Sequence, residues 1–188
     1  MKNRLIFTIL FSLAYALARY AWFSDVAAIH IPTYLVNKAI AVVAVFFVFY
    51  AALDHKQGRH DRSREWGRLA MQAAFVHVLL SLAILKPGYF ETFFGDERLN
   101  LRGELVVLFG ALAAYVFWII PRYAGQEKVM SVLKWLGCLL LLFHLLSVGL
   151  FKWIRPAEWP GYMPPISLIS AVLILGALIA FFIKPKKA

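Results

Sequence analysis

Six apolar runs separated by short polar connections account for most of the chain, at about 5–23, 33–53, 69–85, 104–120, 135–151 and 166–183. A run of roughly 20 residues, rising about 1.5 Å per residue as a helix, crosses a hydrocarbon layer roughly 30 Å thick. Half-buried strands would instead alternate over about 4–8 residues. The pattern predicts an all-α fold, a polytopic membrane helix bundle of about six transmembrane helices forming a single domain over 1–188. Punctuation supports the boundaries: Lys86-Pro87-Gly88 closes the third run and Pro121 the fourth. In the first run, Lys2 and Arg4 precede apolar residues and Ala16-Leu17-Ala18, an order that also fits a cleaved signal peptide. The apolar character continues through Tyr20, Ala21, Trp22 and Phe23, so a retained first helix is preferred.

Composition agrees with the pattern. The 188 residues are 62% hydrophobic with a mean hydropathy of +0.73, too apolar for a soluble domain. No polar connection is long enough to fold alone, so any donor or acceptor domain would belong to another protein. The net charge of +10 does not point to nucleic acid, because the cations sit in short clusters between apolar runs, where they orient a chain in a bilayer. Lys2 and Arg4, then Lys56, Arg59, Arg62, Arg64 and Arg68, then Arg122, Lys128 and Lys134, then Lys184, Lys186 and Lys187 fall on one side. Lys86, Arg98, Arg102, Lys152 and Arg155 fall on the other. This distribution predicts that both termini are cytoplasmic. Tyr20, Trp22, Tyr89, Trp153, Trp159 and Tyr162 would form the outer aromatic belt, and Tyr50, Trp66, Trp118 and Trp135 the inner one. Cys138 lies within an apolar run and is expected to pack there.

The candidate chemistry lies inside two of the runs. His77 is the one ionisable group in 69–85, and Arg68 and Lys86 bracket it at roughly 13 Å on either side, near the midplane of a bilayer. His144 repeats the arrangement between Lys134 and Lys152. A histidine at that depth needs a partner. Two neutral imidazoles on different helices could ligate a haem iron from opposite faces, bond one helix to another, hold another metal, or relay protons. Ala70, Ala73, Ala74 and Ser81 share the His77 face at helical spacing, and Gly137 and Ser147 share that of His144. Small residues there would leave a slot for a planar ligand or allow close helix packing. Gly110 and Ala114 offer a similar small face on the fourth run. His55 and His60, in the polar stretch 54–68, read as solvated.

A basic connection before a midplane histidine in the third span, and a second midplane histidine in the fifth, resembles the ferric reductase-like transmembrane family. That family includes the haem-binding cores of ferric reductases and NADPH oxidases. It also includes the membrane subunit of the bacterial periplasmic methionine sulfoxide reductase, whose layout is nearest. The resemblance covers YLVNKAIAVVAVFFVFYAAL, RSREWGRLAMQAAFVHVLLSLAIL and KWLGCLLLLFHLLSVGLFKW. It implies haem b held by His77 and His144, and electron transfer across or within the membrane to a partner oxidoreductase, with a redox protein or the quinone pool as donor. A second histidine common in the family, about four turns earlier on the fifth span, is here near Ser131, so one haem per chain is expected. Arg19 and Lys38 would lie inside the outer ends of their helices. With haem propionates directed outward the two cations would pair with them; otherwise they would snorkel to the surface. The competing function is a non-catalytic integral membrane subunit or small transporter whose histidines join helices or relay protons.

Overall fold

The structure is a computed structural model, and it describes residues 1–23 and 31–183. Six helices form the molecule: α1 (Lys2–Leu17), continued by a π-helical turn at Ala18–Trp22, then α2 (Ile31–Lys56), α3 (His60–Ala83), α4 (Leu101–Ile119), α5 (Glu127–Trp153) and α6 (Ile166–Phe182). Each, with its adjoining turns, is long and apolar enough to cross a membrane. The outward faces are apolar as well: Leu10, Phe75, Leu79, Val132 and Ile179 are all exposed. A surface of that kind belongs in lipid, and the chain is an integral membrane protein. Lys184, Lys186 and Lys187 and most of the connection between α1 and α2 lie outside the described residues.

Three helices run past the apolar spans read from the sequence. The polar stretch expected as a connection at 54–68 is mostly helix, because its Asp, Lys, Glu and Arg residues are tolerated in helices and nothing interrupts the backbone before Gly58. Gly58 has φ +75°, a left-handed conformation open to glycine, and it turns α2 into α3 within 57–59. Gly125, at φ +95°, lies in the turn between α4 and α5 after Pro121 has ended the regular helix. At the far end, a short hairpin pairs Phe94 with Leu99 and Gly95 with Arg98. Asn100 then caps α4 by accepting a hydrogen bond from the Gly103 amide at 3.0 Å.

The helices close into a ring. α3 packs on α2, α2 on α6, α6 on α5 and α5 on α4, whereas α4 and α3 touch only lightly; α1 packs outside α2. Thr8, Ser12 and Ala16 form the buried stripe of α1, and the Thr8 hydroxyl donates to Tyr50 Oη at 3.3 Å. Near the α2–α3 turn, called here the basic end, Asp54 of α2 is 1% exposed. It pairs with Arg4 of α1 at 3.4 Å and Arg59 at 2.5 Å, and accepts from the Trp66 indole of α3 at 3.1 Å. Three helices are thereby tied through one carboxylate, whose buried charge is answered by the two arginines. Tyr50 and Trp66 are buried, with tilted rings whose centroids lie 5.1 Å apart. This corrects the expected inner belt: both rings turn into the bundle toward Thr8 and Asp54, while Trp118 and Trp135 remain exposed. Cys138 packs in the core as expected.

Candidate functional site

The ring encloses one cavity of about 2420 Å³, lined by α2, α3, α4, α5 and the ends of α6. Sites for small organic ligands occupy about 300–1,000 Å³, so the volume here exceeds what one such ligand needs. His77 and His144 both line it, as do Arg19 and Lys38. The four residues singled out in the sequence are thus brought to one space. Seventeen residues separate His60, the first residue of α3, from His77, and seventeen separate Glu127, the first of α5, from His144. Both helices start at the basic end, so the histidines stand at one level, roughly 25 Å along their helices.

Each imidazole is oriented by a neighbouring helix of its own hairpin. His77 Nδ1 lies 2.7 Å from Asn37 Oδ1 of α2. Asn37 is itself fixed, donating through Nδ2 to Ser81 Oγ at 3.1 Å, and Ser81 Oγ stands 3.5 Å from the same Nδ1. His144 Nδ1 lies 2.9 Å from the main-chain carbonyl of Val106 in α4. A carbonyl oxygen only accepts, so His144 carries its proton on Nδ1; an amide oxygen imposes the same tautomer on His77. In both rings Nε2 therefore keeps its lone pair. That is the arrangement that metal-ligating histidines show, one nitrogen on the metal and the other donating to an acceptor. Among the described residues no three His, Cys, Asp or Glu side chains converge. As donors, the two histidines alone would suit only an ion that brings further ligands of its own.

The walls were only partly legible beforehand. Ala70, Ala74 and Ser81 line the cavity as expected, but Ala73, Gly137 and Ser147 do not. A Cβ at Gly137 would lie 3.1 Å from the Phe117 ring, so this glycine serves the α4–α5 crossing. Ser147 turns back to donate to the Phe143 carbonyl at 2.9 Å. The small residues that face His144 come from α4 instead. A Cβ at Gly110 would meet His144 Nδ1 at 2.9 Å, so only glycine lets the ring lie against the helix and reach Val106. Ala111, Ala113 and Ala114 continue that wall. His60 is exposed as expected, whereas His55 is half-buried, its ring 5.4 Å from that of His60 and 5.8 Å from Phe181 at the basic end of the cavity.

At the far end, Arg19 sits on the π-helical turn, 4% exposed, and donates to the Met163 carbonyl. Such turns recur at functional sites. Lys38 Nζ lies 5.0 Å from the Tyr34 ring centroid and 5.2 Å from that of Phe90. Both cations line the far end of the cavity.

The chain matches no known protein-family model and no curated protein. Its chemistry is therefore a matter of the cavity and of the side chains that face it. Asn37, Val106 and Gly110 are the participants that sequence reasoning missed as such. Asn37, a polar residue in an apolar run, was the one signal in the sequence, and its partner depended on how α2 is rotated against α3.

Proposed function

We propose that the chain is a membrane haem b protein, similar in design to the ferric reductase-like family, which carries electrons across or within a bilayer to a partner oxidoreductase. The observation that supports this best is the shared tautomer: both histidines spend Nδ1 on a helix neighbour and keep Nε2 for one common cavity. When bound, haem supplies a one-electron iron couple. The chain's residues do the rest. His77 and His144 would hold the iron, a ligand set suited to electron transfer. Asn37 and the Val106 carbonyl fix the ring planes and make the imidazoles stronger donors. Ala70, Ala74, Gly110 and Ala114 leave room for a flat ligand, and the surrounding apolar helices keep water away from it. The likeness to the bacterial membrane subunit favours a bacterial inner membrane, and the clustered cations favour cytoplasmic termini, with a reducing partner, protein or quinone, at that face.

One observation favours the second function, a small transporter or non-catalytic subunit: the cavity is lined from the basic end, at His55 and Arg64, to the far end, at Tyr89 and Trp159. The histidines would then serve as helix ties or proton carriers. A visible spectrum of the purified full chain separates the two. Reduced-minus-oxidised bands of six-coordinate b-type haem, at one haem per chain, are expected; a colourless, correctly folded protein after expression with ample haem would leave the transporter.

A further inference from the structure

We infer that the far end of the cavity is a carboxylate receptor that sets which way round the cofactor sits, its two acidic side chains directed toward Arg19 and Lys38 and away from the basic end. The inference rests on the haem reading and adds a direction to it.

Two cations at this end make no ion pair among the described residues. Arg19 is buried, and its guanidinium is only part satisfied: one Nη donates to the Met163 carbonyl, while Nε is buried without a hydrogen-bond partner. Lys38 makes no ion pair among the described residues and rests on the faces of Tyr34 and Phe90. Tyr20 and Tyr34, whose rings are 5.2 Å apart, connect the two: Arg19 stands 5.7 Å from the Tyr20 centroid and Lys38 beside Tyr34. Lys152 of α5 also lines this end. The acids that line the same end, Glu91 and Glu158, are exposed on the rim, and Glu158 is held by Arg155 at 3.3 Å. A cation pair inside an apolar bundle is costly, and a bound carboxylate would relieve it. The Tyr34 and Phe90 rings keep the Lys38 ammonium available, since a cation–π contact is weaker than a charge-assisted hydrogen bond.

The position relative to the histidines fixes the ligand's chemistry. Lys38 follows Asn37, the residue that bonds His77, so one turn of α2 carries both the orienter of the ligand and the cation. The cations that line the basic end stand farther from the histidines. Lys134 of α5 is ten residues, or roughly 15 Å, from His144 and rests on the Phe181 ring. Arg64 is thirteen residues, or roughly 20 Å, from His77 along α3, and it is exposed and paired with Asp61 at 3.6 Å. A planar ligand centred between the two imidazoles, with a carboxylate-bearing edge, therefore meets the nearer cations on the far side.

The test changes the ligand rather than the chain, so it does not depend on a variant folding. The full-length apoprotein in detergent is titrated with iron protoporphyrin IX and with its dimethyl ester, which keeps the iron and ring but lacks the charges. The expected result is the six-coordinate bis-histidine spectrum with both and binding of the free acid at least about tenfold tighter, the scale of one charge-assisted hydrogen bond. Lys38→Met and Arg19→Met should each shrink that preference, and Lys38→Arg should restore most of it. Equal binding of acid and ester by the native chain, with the bis-histidine spectrum intact, overturns the receptor and leaves the haem reading standing. Absence of the spectrum with both ligands overturns the haem reading and this inference together.

Discussion

His77 and His144 have the same depth and the same tautomer, yet they are held by different kinds of contact. His77 belongs to a side-chain network, in which Asn37 and Ser81 bond the ring and each other. His144 leans on the main chain, bonding the Val106 carbonyl and lying flush on Gly110. A side-chain acceptor can be strengthened, weakened or deleted by a single substitution. A main-chain acceptor cannot, and is reached only by altering how closely the helices approach. The difference teaches that one ligand is tuned chemically and the other sterically, so the two sides of the site should respond to different mutations.

The largest effect should come from removing either ring. His77→Ala and His144→Ala are each expected to abolish the six-coordinate spectrum, and retention of that spectrum in both variants would break the assignment of this pair. Asn37→Ala should come next. It leaves Nδ1 of His77 without its acceptor, and loss of such a partner typically weakens metal binding by about 10–100-fold. The less basic imidazole should also favour the reduced iron, so the midpoint potential should rise in a redox titration. Asn37→Asp, with a stronger acceptor, should lower it. A potential that does not respond to either change would show that the 2.7 Å contact does not tune the ligand.

Gly110→Ala tests the steric side. The new Cβ would stand 2.9 Å from His144 Nδ1, so the ring or α4 must move. Overpacking of this kind costs about 1–3 kcal/mol, to be read as a lower melting temperature together with a changed low-spin spectrum. A variant with native melting and native spectrum would mean that the hairpin α4–α5 yields without cost. The smallest effect is expected from Ser81→Ala, which removes a supporting hydroxyl worth about 0.5–1.5 kcal/mol. A loss of haem affinity of no more than about tenfold is expected by titration, and a larger one would place Ser81 on a level with Asn37.

The six spans were legible because each apolar run is long and each is punctuated. Their ends at the basic side were not, since Asp54, Glu65 and their neighbours are polar yet accept a helical backbone, and only Gly58 breaks it. His77 and His144 stood out as lone ionisable groups in hydrocarbon-length runs. Their orienters did not. Asn37 read as a polar residue near the start of a helix, and Gly110 as part of a packing face, because which residue meets which depends on rotation about helix axes that hydropathy does not encode. The same blindness put Trp66 in an aromatic belt: its polar sequence neighbourhood hid the face that turns toward Asp54.

Each orienting contact joins helices consecutive in the chain: Asn37 and His77 belong to α2 and α3, Val106 and His144 to α4 and α5. Each half of the site is therefore complete within one helical hairpin. During synthesis the first half can be set before the second has left the ribosome, and the second needs nothing from the first to set its own ring. What remains is docking, for which α6, packed on both α2 and α5 and made last, is the keystone.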